Sequence, residues 1–413
     1  MKSKRVTLIK NSEWNVKKVE NLTIYEPSQI IQQLPKQFFA NLVKQVSANV
    51  AQGHDVINLG QGNPDLPTPA HIVEKMQEAV QNPLNHKYAP FRGFDYLKEA
   101  VATFYKQEYG VKIDPKHEVA VLFGGKAGLV QLPICLLNPG DIALLPDPGY
   151  PDYLSGLAMA RASYELMPLR EESQFLPEFD FINPHVLEKA KLMFLNYPNN
   201  PTGATADLSF FEETVRLAEK HRICVVHDFA YGAIGFDGQK PISFLQAEGA
   251  KEVGIEIYTL SKTYNMAGWR VAFAIGNRSV IQALEQYQDH MYVSLFGAIQ
   301  EAAAHALLSS QQAVRDLVQT YEKRRNTLIE AAHQIGWNVT QPKGTFFAWL
   351  NVPNGYTSME FFQLLLEKAH VAVAPGVGFG QYGEGYVRVG LLAEEKRLVE
   401  AIERMDALRL FKS

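Results

Sequence analysis

The feature that most constrains the fold is a series of short apolar runs, between about residues 117 and 277, that alternate with amphipathic segments. Runs that are apolar at consecutive positions are typical of strands buried on both faces, as in a parallel sheet covered by helices. The series therefore predicts an α/β domain built on a mostly parallel sheet. The six predicted strands lie within EVAVLFGG, DIALLPD, KLMFLNYP, ICVVHD, IEIYTLSK and VAFAIGN.

The chain of 413 residues is too long for one hydrophobic core, because single cores stop growing beyond roughly 250 to 300 residues. We expect residues 64–295 to form a large domain, and residues 31–63 and 296–413 to form a smaller α+β domain. Residues 1–30 lack sustained periodicity and are predicted to form an N-terminal arm.

Helix signals flank the predicted sheet. Apolar residues at helical spacing after Phe38 predict an amphipathic helix that ends at Gly53. Thr68 and Pro69 occupy the positions expected for the N-cap and first residue of another helix. Beyond residue 280, long helical patterns precede strand signals in GTFFAWLNV, HVAVAPG and GYVRVGLL and a helix signal in MEFFQLLLEKA.

Composition narrows the class of protein. The net charge is -4, and no cluster of Lys and Arg is dense enough to suggest a nucleic-acid partner. Two cysteines, Cys135 and Cys224, exclude a disulfide framework, and the histidines show no metal-ligand spacing, so we expect no metal site. Without a run of roughly 20 apolar residues or a secretory signal, we expect a cytoplasmic protein with no membrane partner.

Three polar residues stand at the ends of predicted strands: Asn196, Asp228 and Lys262. Ligands of open α/β sheets gather at the carboxyl ends of the strands, so these side chains are expected to converge on one rim. Each residue alone is more often a turn or cap residue than a catalytic one. Their coincidence on three strands favours a functional site.

The segment VLFGGKAGLVQLPICLL places Gly124, Gly125 and Lys126 between a strand and an apolar helix. Amides at a helix N-terminus stabilise a bound phosphate through hydrogen bonds and the helix dipole. A tight turn without a ligand is an equally good interpretation. A Walker A loop is excluded, because Lys126 is followed by Ala127 rather than by Ser or Thr.

The segment TLSKTYNMAGWR sets Lys262 on a loop after a buried strand, with Arg270 eight residues later. Burial and a nearby positive charge both depress the pKa of a lysine, which makes its amine nucleophilic near neutral pH. A surface lysine is the alternative, but the apolar residues on both sides favour a buried loop.

Gly378, Gly380 and Gly383 form a GxGxxG pattern. A dinucleotide-binding fingerprint would open a helix, whereas the sequence continues here as the strand-like EGYVRVGLL. We interpret this segment as a flexible loop.

Together, these motifs resemble those of the class I, fold type I aminotransferases that depend on pyridoxal phosphate. The likeness runs from about residue 31 to the C-terminus, and it implies the same division into a large α/β domain and a smaller α+β domain. A narrower likeness, strongest in LPKQFF and LMFLNYPNNPTGA, is to the bacterial aminotransferases of methionine salvage, which make methionine from 4-methylthio-2-oxobutanoate. The ordered motifs are GQGNPD, KYAPFRG, GGKAGL, DPGYPDY, NYPNNPTG, HDFAYG, SKTYNMAGWR and YVRVGL.

The resemblance implies a role for each polar residue near the predicted cofactor ring. Lys262 would hold pyridoxal 5'-phosphate covalently and then move the proton of the substrate Cα. Asp228 would pair with the protonated pyridine nitrogen, so that the ring accepts electrons. Asn200 and Tyr231 would bind the 3-oxygen of the ring, and Tyr150 would stack on its face.

The cofactor phosphate is also assigned by resemblance. Thr259 stands where many relatives have serine, and Lys126 stands where serine or alanine is common, so only the backbone of Lys126 is assigned. Tyr88 would reach the phosphate of the neighbouring subunit, which implies a homodimer with shared sites. The other phosphate residues, the first three through their backbone, are Gly125, Lys126, Ala127, Thr259, Ser261 and Arg270.

Arg388 is expected to hold the substrate α-carboxylate with two nitrogens, each charge-assisted bond contributing about 1.5 to 3 kcal/mol. The backbone near Gly62 and the side chain of Asn200 would contact the same group. The chain lacks an evident second arginine motif for a distal carboxylate, which favours an apolar substrate such as methionine or an aromatic amino acid.

The function expected from the resemblance is transfer of an amino group between such an amino acid and a 2-oxo acid. A carbon–sulfur β-lyase has the same fold and the same lysine, so it stays an alternative, as does an aspartate or alanine aminotransferase. A third alternative is a non-catalytic sensor, which would need a DNA-binding module that thirty irregular N-terminal residues cannot supply.

Overall fold

The computed structural model describes residues 25–411. Most of the predicted N-terminal arm lies outside them. The described residues contain a seven-stranded sheet in which every neighbouring pair is parallel except those made by Ala272–Gly276, which runs antiparallel to both its neighbours. The mostly parallel sheet predicted from the apolar runs is confirmed. Across the sheet the strands follow the order Val119–Leu122, Ala272–Gly276, Gly254–Thr259, Cys224–Asp228, Ala190–Leu195, Ile142–Asp147 and Ser163–Pro168.

Burial on both faces explains why the strands read as continuous apolar runs. Side chains alternate across a strand, so Met193 packs into the hydrophobic core on one face of the sheet and Phe194 into the core on the other. Full burial of a side chain such as Phe194 contributes about 1.5 to 3 kcal/mol. Ser163–Pro168, at the sheet edge, was not predicted, because its first three residues are exposed and polar or amphipathic.

Helices cover the sheet and join it to the rest of the chain. The amphipathic helix predicted after Phe38 is confirmed. The predicted cap at Thr68 is wrong: Pro69 occupies the N-cap, and the Thr68 hydroxyl donates instead to the Asn265 carbonyl, at 2.8 Å. The longer helices are Phe38–Ala51, Ala70–Ala79, Asp95–Tyr109, Gly125–Leu136, Tyr153–Ala160, Leu208–His221, Arg278–Met291, Gly297–Leu308, Gln312–Gln334 and Glu395–Asp406.

Shorter helical segments connect these elements, and Ser358–Leu364 continues into one π-helical turn, Leu365–Ala369. None of the helices within residues 25–411 has the length and apolar content needed to cross a membrane. The remaining short segments are Gln29–Gln32, Pro83–His86, Phe179–Phe181, Pro184–Leu187, Phe244–Gln246, Ala250–Val253, Leu260–Thr263, Ala267–Trp269, Gly376–Phe379 and Gln381–Gly383.

Two small sheets lie outside the large one. Phe347–Asn351 and Ala374–Pro375 flank Tyr386–Gly390 in an antiparallel sheet, and Ile57–Asn58 pairs in parallel with Val371–Ala372. These strands surround a separate hydrophobic core. The parallel pairing joins residues 57–58, near the N-terminal end of the described chain, to residues 371–372.

The proposed domain boundaries remain a prediction. Ile57 packs into the core around the small sheets, together with residues near the C-terminus. Gly297–Leu308, in contrast, lies just beyond the predicted boundary at residue 295 and packs against Ala70–Ala79 and Asp95–Tyr109.

Candidate active site

A cavity of about 840 Å³ opens at the carboxyl ends of the central strands. The structure brings the three strand-end residues, Asn196, Asp228 and Lys262, together in its wall. This is the rim at which open α/β sheets bind their ligands. Within residues 25–411, no cluster of His, Cys, Asp or Glu is arranged to hold a metal ion.

Lys262 lies on the short helix Leu260–Thr263, whose N-cap is Thr259. The Thr259 hydroxyl accepts the Ser261 amide at 3.2 Å, which fixes the start of the turn. The Lys262 amine donates to the Gly62 carbonyl at 3.0 Å and lies 5.4 Å from the centre of the Phe346 ring. Burial, together with the positive charges of two nearby arginines, lowers the pKa of Lys262 to about 8.

Asp228 ends the strand Cys224–Asp228 and is buried. The Tyr153 hydroxyl donates to its Oδ2 at 3.0 Å, and the Asn196 amide donates to its backbone carbonyl at 2.7 Å. Burial raises the pKa of Asp228 to about 6, although the hydrogen bond from Tyr153 opposes this shift. Asp228 forms no salt bridge with any residue between 25 and 411, so a ligand cation such as a protonated ring nitrogen would fit here.

The helix Gly125–Leu136 begins at the cavity, which Gly125 and Lys126 line. The preceding Gly124 has a φ of +82°, and a Cβ there would lie 2.2 Å from Nη2 of Arg270. Because Gly124 carries no side chain, the exposed Arg270 guanidinium can approach the start of the helix. Thr259 and Ser261 line the same part of the wall. Helix amides, two hydroxyls and a guanidinium are suitable donors for a phosphate.

Two of the predicted phosphate residues, Lys126 and Ala127, make contacts within the chain. The Lys126 side chain forms an ion pair with Asp152 at 2.8 Å, which agrees with assigning only its backbone to the ligand. The Ala127 amide donates to the Gly124 carbonyl at 3.2 Å, and Ala127 does not line the cavity.

Arg388 lies on the strand Tyr386–Gly390 and is buried. Its Nη1 donates to Oδ1 of Asn200 at 2.8 Å, and its Nη2 donates to the Gly60 carbonyl at 3.1 Å. The guanidinium carbon lies 3.9 Å from the centre of the Phe347 ring and 4.7 Å from that of Phe379. Burial lowers the pKa of Arg388 to about 10, and its Nε has no hydrogen-bond partner among the described residues. A guanidinium held in this way attracts a carboxylate.

The remaining predicted residues divide into two groups. Tyr150 and Tyr231 both line the cavity, and burial raises the pKa of each phenol well above its usual value. A Cβ on Gly62 would lie 3.3 Å from the Phe347 ring, so this backbone approaches the arginine site closely. Tyr88 does not join them: it is 92% exposed and does not line the cavity of its own chain.

Sequence reasoning missed Tyr153 and the apolar wall of the cavity. Tyr153 stacks on Phe194, with ring centroids 4.7 Å apart, and this packing aims its hydroxyl at Asp228. DPGYPDY offers two tyrosines, but only the folded structure shows that Tyr153 meets Asp228. The apolar wall includes Phe38, Phe39, Leu42, Val43, Val46 and Phe379.

The geometry fits the expected cofactor. A buried carboxylate that forms no salt bridge with a described residue, a lysine of lowered pKa and a phosphate cradle surround one cavity. Pyridoxal phosphate carries a ring nitrogen, an aldehyde and a phosphate to match them.

Comparison with known proteins gives concordant results. The family model for aminotransferase class I and II matches residues 54–405. The L-glutamine--4-(methylsulfanyl)-2-oxobutanoate aminotransferase of Bacillus subtilis (strain 168) is 65% identical over 387 residues, which cover 94% of this chain and 97% of that protein. Transaminase BacF of the same strain is 53% identical over 386 residues, which cover 93% of this chain and 96% of that protein. A substrate-bound structure of BacF covers 95% of this chain and 100% of its own, with a TM-score of 0.90 and 52% identity.

Proposed function

This chain belongs to the class I and II aminotransferases, and from that premise we propose that it transfers the amino group of glutamine to 4-methylthio-2-oxobutanoate, which yields methionine. The protein is an aminotransferase that depends on pyridoxal 5'-phosphate. The observation that carries the proposed substrates is the 65% identity, over 94% of the chain, to a Bacillus subtilis enzyme whose name specifies glutamine and this 2-oxo acid.

The cavity wall supports an apolar substrate. Phe39 and Phe379 lie with their ring centroids 4.9 Å apart in the wall, and aromatic rings make favourable contacts with thioether sulfur. Arg270 and Arg388 are the arginines among the described residues of the wall. Since the first is proposed for the phosphate and the second for the α-carboxylate, neither is left for the distal carboxylate of aspartate.

The proposed chemical roles follow from the protonation of each residue. Bound pyridoxal phosphate supplies an aldehyde carbon for the substrate amine and a ring that accepts electrons. Lys262 takes the proton from the substrate Cα, and its pKa of about 8 leaves part of the amine neutral at physiological pH. With the cofactor bound, the buried Asp228 carboxylate would hold the proton on the ring nitrogen. Arg388 orients the substrate by its carboxylate, with Asn200 fixing one of its nitrogens.

We further propose a homodimer in which Tyr88 contacts the phosphate in the partner's site. The exposure of Tyr88 and its position outside the cavity of its own chain support this role.

We also propose that residues 31–63 join residues 296–413 in the smaller domain, as the pairing of Ile57–Asn58 with Val371–Ala372 suggests. The two unpaired cysteines agree with a cytoplasmic location.

A survey of steady-state rates tests the proposed substrates. Cofactor-loaded protein is incubated with glutamine and 4-methylthio-2-oxobutanoate, and methionine is quantified against reactions with aspartate as donor and oxaloacetate or pyruvate as acceptor. We expect the highest kcat/KM for the glutamine reaction. A strict preference for aspartate would refute the proposal. Release of pyruvate and ammonia from cystathionine without any acceptor would instead identify the β-lyase.

A further inference from the structure

We propose that Asp147 is a positioning residue for the substrate-carboxylate site: it holds the glycine loop, residues 376–383, so that the Phe379 ring lies against Arg388. The inference rests on the proposed role of Arg388 in binding the substrate α-carboxylate. It gives a purpose to a buried carboxylate that the proposed mechanism does not use and to the GxGxxG pattern.

Asp147 is the last residue of the strand Ile142–Asp147 and is only 4% exposed. Its two carboxylate oxygens accept the backbone amides of Gln381 and Tyr382, each at 3.0 Å. Close by, the Gly149 amide donates to the Phe379 carbonyl at 2.8 Å. Three hydrogen bonds therefore fasten the glycine loop to the end of a strand in the large sheet.

Gly380 allows this close approach. Its φ is +136°, a conformation that L side chains rarely adopt, and a Cβ at this position would lie 2.1 Å from Oδ1 of Asp147. On the other side of the loop, a Cβ on Gly378 would lie 2.4 Å from the Phe38 ring. The glycines thus let the loop fit between Asp147 and the helix Phe38–Ala51.

The carboxylate of Asp147 has no cationic partner among the described residues in contact with it. Burial raises the pKa of Asp147 above its usual value, whereas the amides of Tyr382 and Gln381 act in the opposite direction. A buried carboxylate is costly unless it is fully hydrogen-bonded, so its two amide partners must stay in place. The loop therefore has one favoured position relative to the large sheet.

Phe379 transmits that position to the site. Its ring centre lies 4.7 Å from the guanidinium carbon of Arg388 and 4.9 Å from the Phe39 ring. If the loop moved, water would replace the ring beside the guanidinium. Solvation of the guanidinium weakens its attraction for a carboxylate. Asp147 thereby acts on the binding of every substrate that carries an α-carboxylate, and not on the proton transfer at Lys262.

The test compares Asp147→Ala with the wild-type holoenzyme. We expect KM for both glutamine and 4-methylthio-2-oxobutanoate to rise roughly 5- to 30-fold, as for loss of one desolvated cation–π contact. We expect kcat to stay within about twofold, because the groups that move the proton are untouched. Hexanoate is a carboxylate that cannot react, and it should bind the Asp147→Ala holoenzyme more weakly than the wild-type holoenzyme by a similar factor. Asp147→Asn keeps one acceptor oxygen, so its KM values should lie between those of the wild type and those of Asp147→Ala.

Glu384→Gln is the matched control. Glu384 directly follows the glycine loop, and its carboxylate accepts the Ser358 amide at 2.6 Å and the Ser358 hydroxyl at 2.9 Å, away from the cavity. We expect its KM values to match those of the wild type. Equal KM changes in both variants would show a general loosening of the loop and would overturn the proposal. A fall in kcat or in cofactor affinity at unchanged KM in Asp147→Ala would also overturn it.

A second variant and a second substrate cover the cases in which Asp147→Ala does not fold or glutamine is not accepted. If Asp147→Ala does not fold, Phe379→Leu removes the ring at the end of the same chain of contacts, and unchanged hexanoate binding in that variant contradicts the inference. If the wild type does not accept glutamine, the proposed substrates fail but the inference does not. KM is then compared for the amino acid that the wild type does accept, because every amino acid carries the same α-carboxylate.

Discussion

The Arg388 guanidinium donates to the Asn200 side-chain oxygen at 2.8 Å, although the two residues are 188 positions apart. The backbone amide of Asn200 in turn donates to Oδ1 of Asn196 at 2.7 Å, and the Asn196 side chain donates to the backbone carbonyl of Asp228 at 2.7 Å. A continuous series of hydrogen bonds therefore joins the proposed carboxylate site to the proposed cofactor acid. We expect these residues to hold the substrate and the cofactor ring in register.

Replacing Arg388 should weaken the binding of every amino-acid substrate to a similar degree. For Arg388→Ala we expect kcat/KM to fall roughly 10- to 100-fold or more for glutamine, methionine and aspartate, since at least one charge-assisted bond is lost. Arg388→Lys keeps the charge without the two-nitrogen fork and should lose less. Steady-state kinetics with the three amino acids check this expectation. A loss confined to one amino acid would contradict the assignment of Arg388 to the α-carboxylate.

The pKa of Lys262 predicts how apoenzyme regains its cofactor. An amine with a pKa of about 8 is mostly neutral above pH 8, whereas an ordinary lysine becomes neutral only near pH 10.5. The rate of reconstitution with pyridoxal phosphate should therefore rise with pH and level off above about 8. Arg388→Gln removes one nearby positive charge, which should raise the pKa of Lys262. The midpoint of the rise in reconstitution rate should therefore move to higher pH. A midpoint that stays near pH 10 in the wild type would refute the lowered pKa of Lys262.

Tyr153 should lower the pKa of Asp228 through its hydrogen bond. Its hydroxyl donates to the carboxylate, so Tyr153→Phe removes a bond that favours the charged form and should raise the pKa of Asp228 further above its ordinary value. We expect the acidic limb of the kcat profile to move to higher pH, with kcat about tenfold lower near neutrality. Tyr164→Phe is the control, because Tyr164 lies on the edge strand of the large sheet and lines the same cavity. Identical pH profiles for wild type and Tyr153→Phe would contradict the proposed role.

Mixing two inactive variants tests the shared site. In a heterodimer of Lys262→Ala and Tyr88→Ala subunits, one site carries both defects if Tyr88 acts across the interface, and the other site carries none. We expect unfolding and refolding the mixture to restore activity that neither homodimer has. If Tyr88 serves its own subunit, no site is repaired and the mixture stays as inactive as its components.

Much of the fold could be predicted because its central strands are buried on both faces. Met193 and Phe194 pack into different cores, so their strand has to be apolar at consecutive positions. The edge strand Ser163–Pro168 begins with three consecutive exposed residues and lacks that signature. The expected cap at Thr68 failed for a different reason: its hydroxyl bonds to Asn265, which is 197 positions away and beyond the reach of local pattern.

The site shows the same contrast. Asn196, Asp228 and Lys262 could be selected from the sequence, since a polar residue that ends a buried strand must face the rim of the sheet. The contact of Tyr153 with Asp228, 75 positions away, and that of Phe379 with Arg388 arise only when the fold is assembled. The proposed roles in binding the cofactor came from the resemblance to a family, because strand ends alone do not specify a ligand.

The most direct measurement is borohydride reduction of the holoenzyme followed by mass spectrometry of its peptides. The proposed site predicts that the reduced cofactor is attached to the peptide that contains Lys262, and that Lys262→Ala binds pyridoxal phosphate without this attachment and with negligible turnover. Attachment to a different lysine, or a protein that stays colourless and unlabelled after incubation with pyridoxal phosphate, would contradict it.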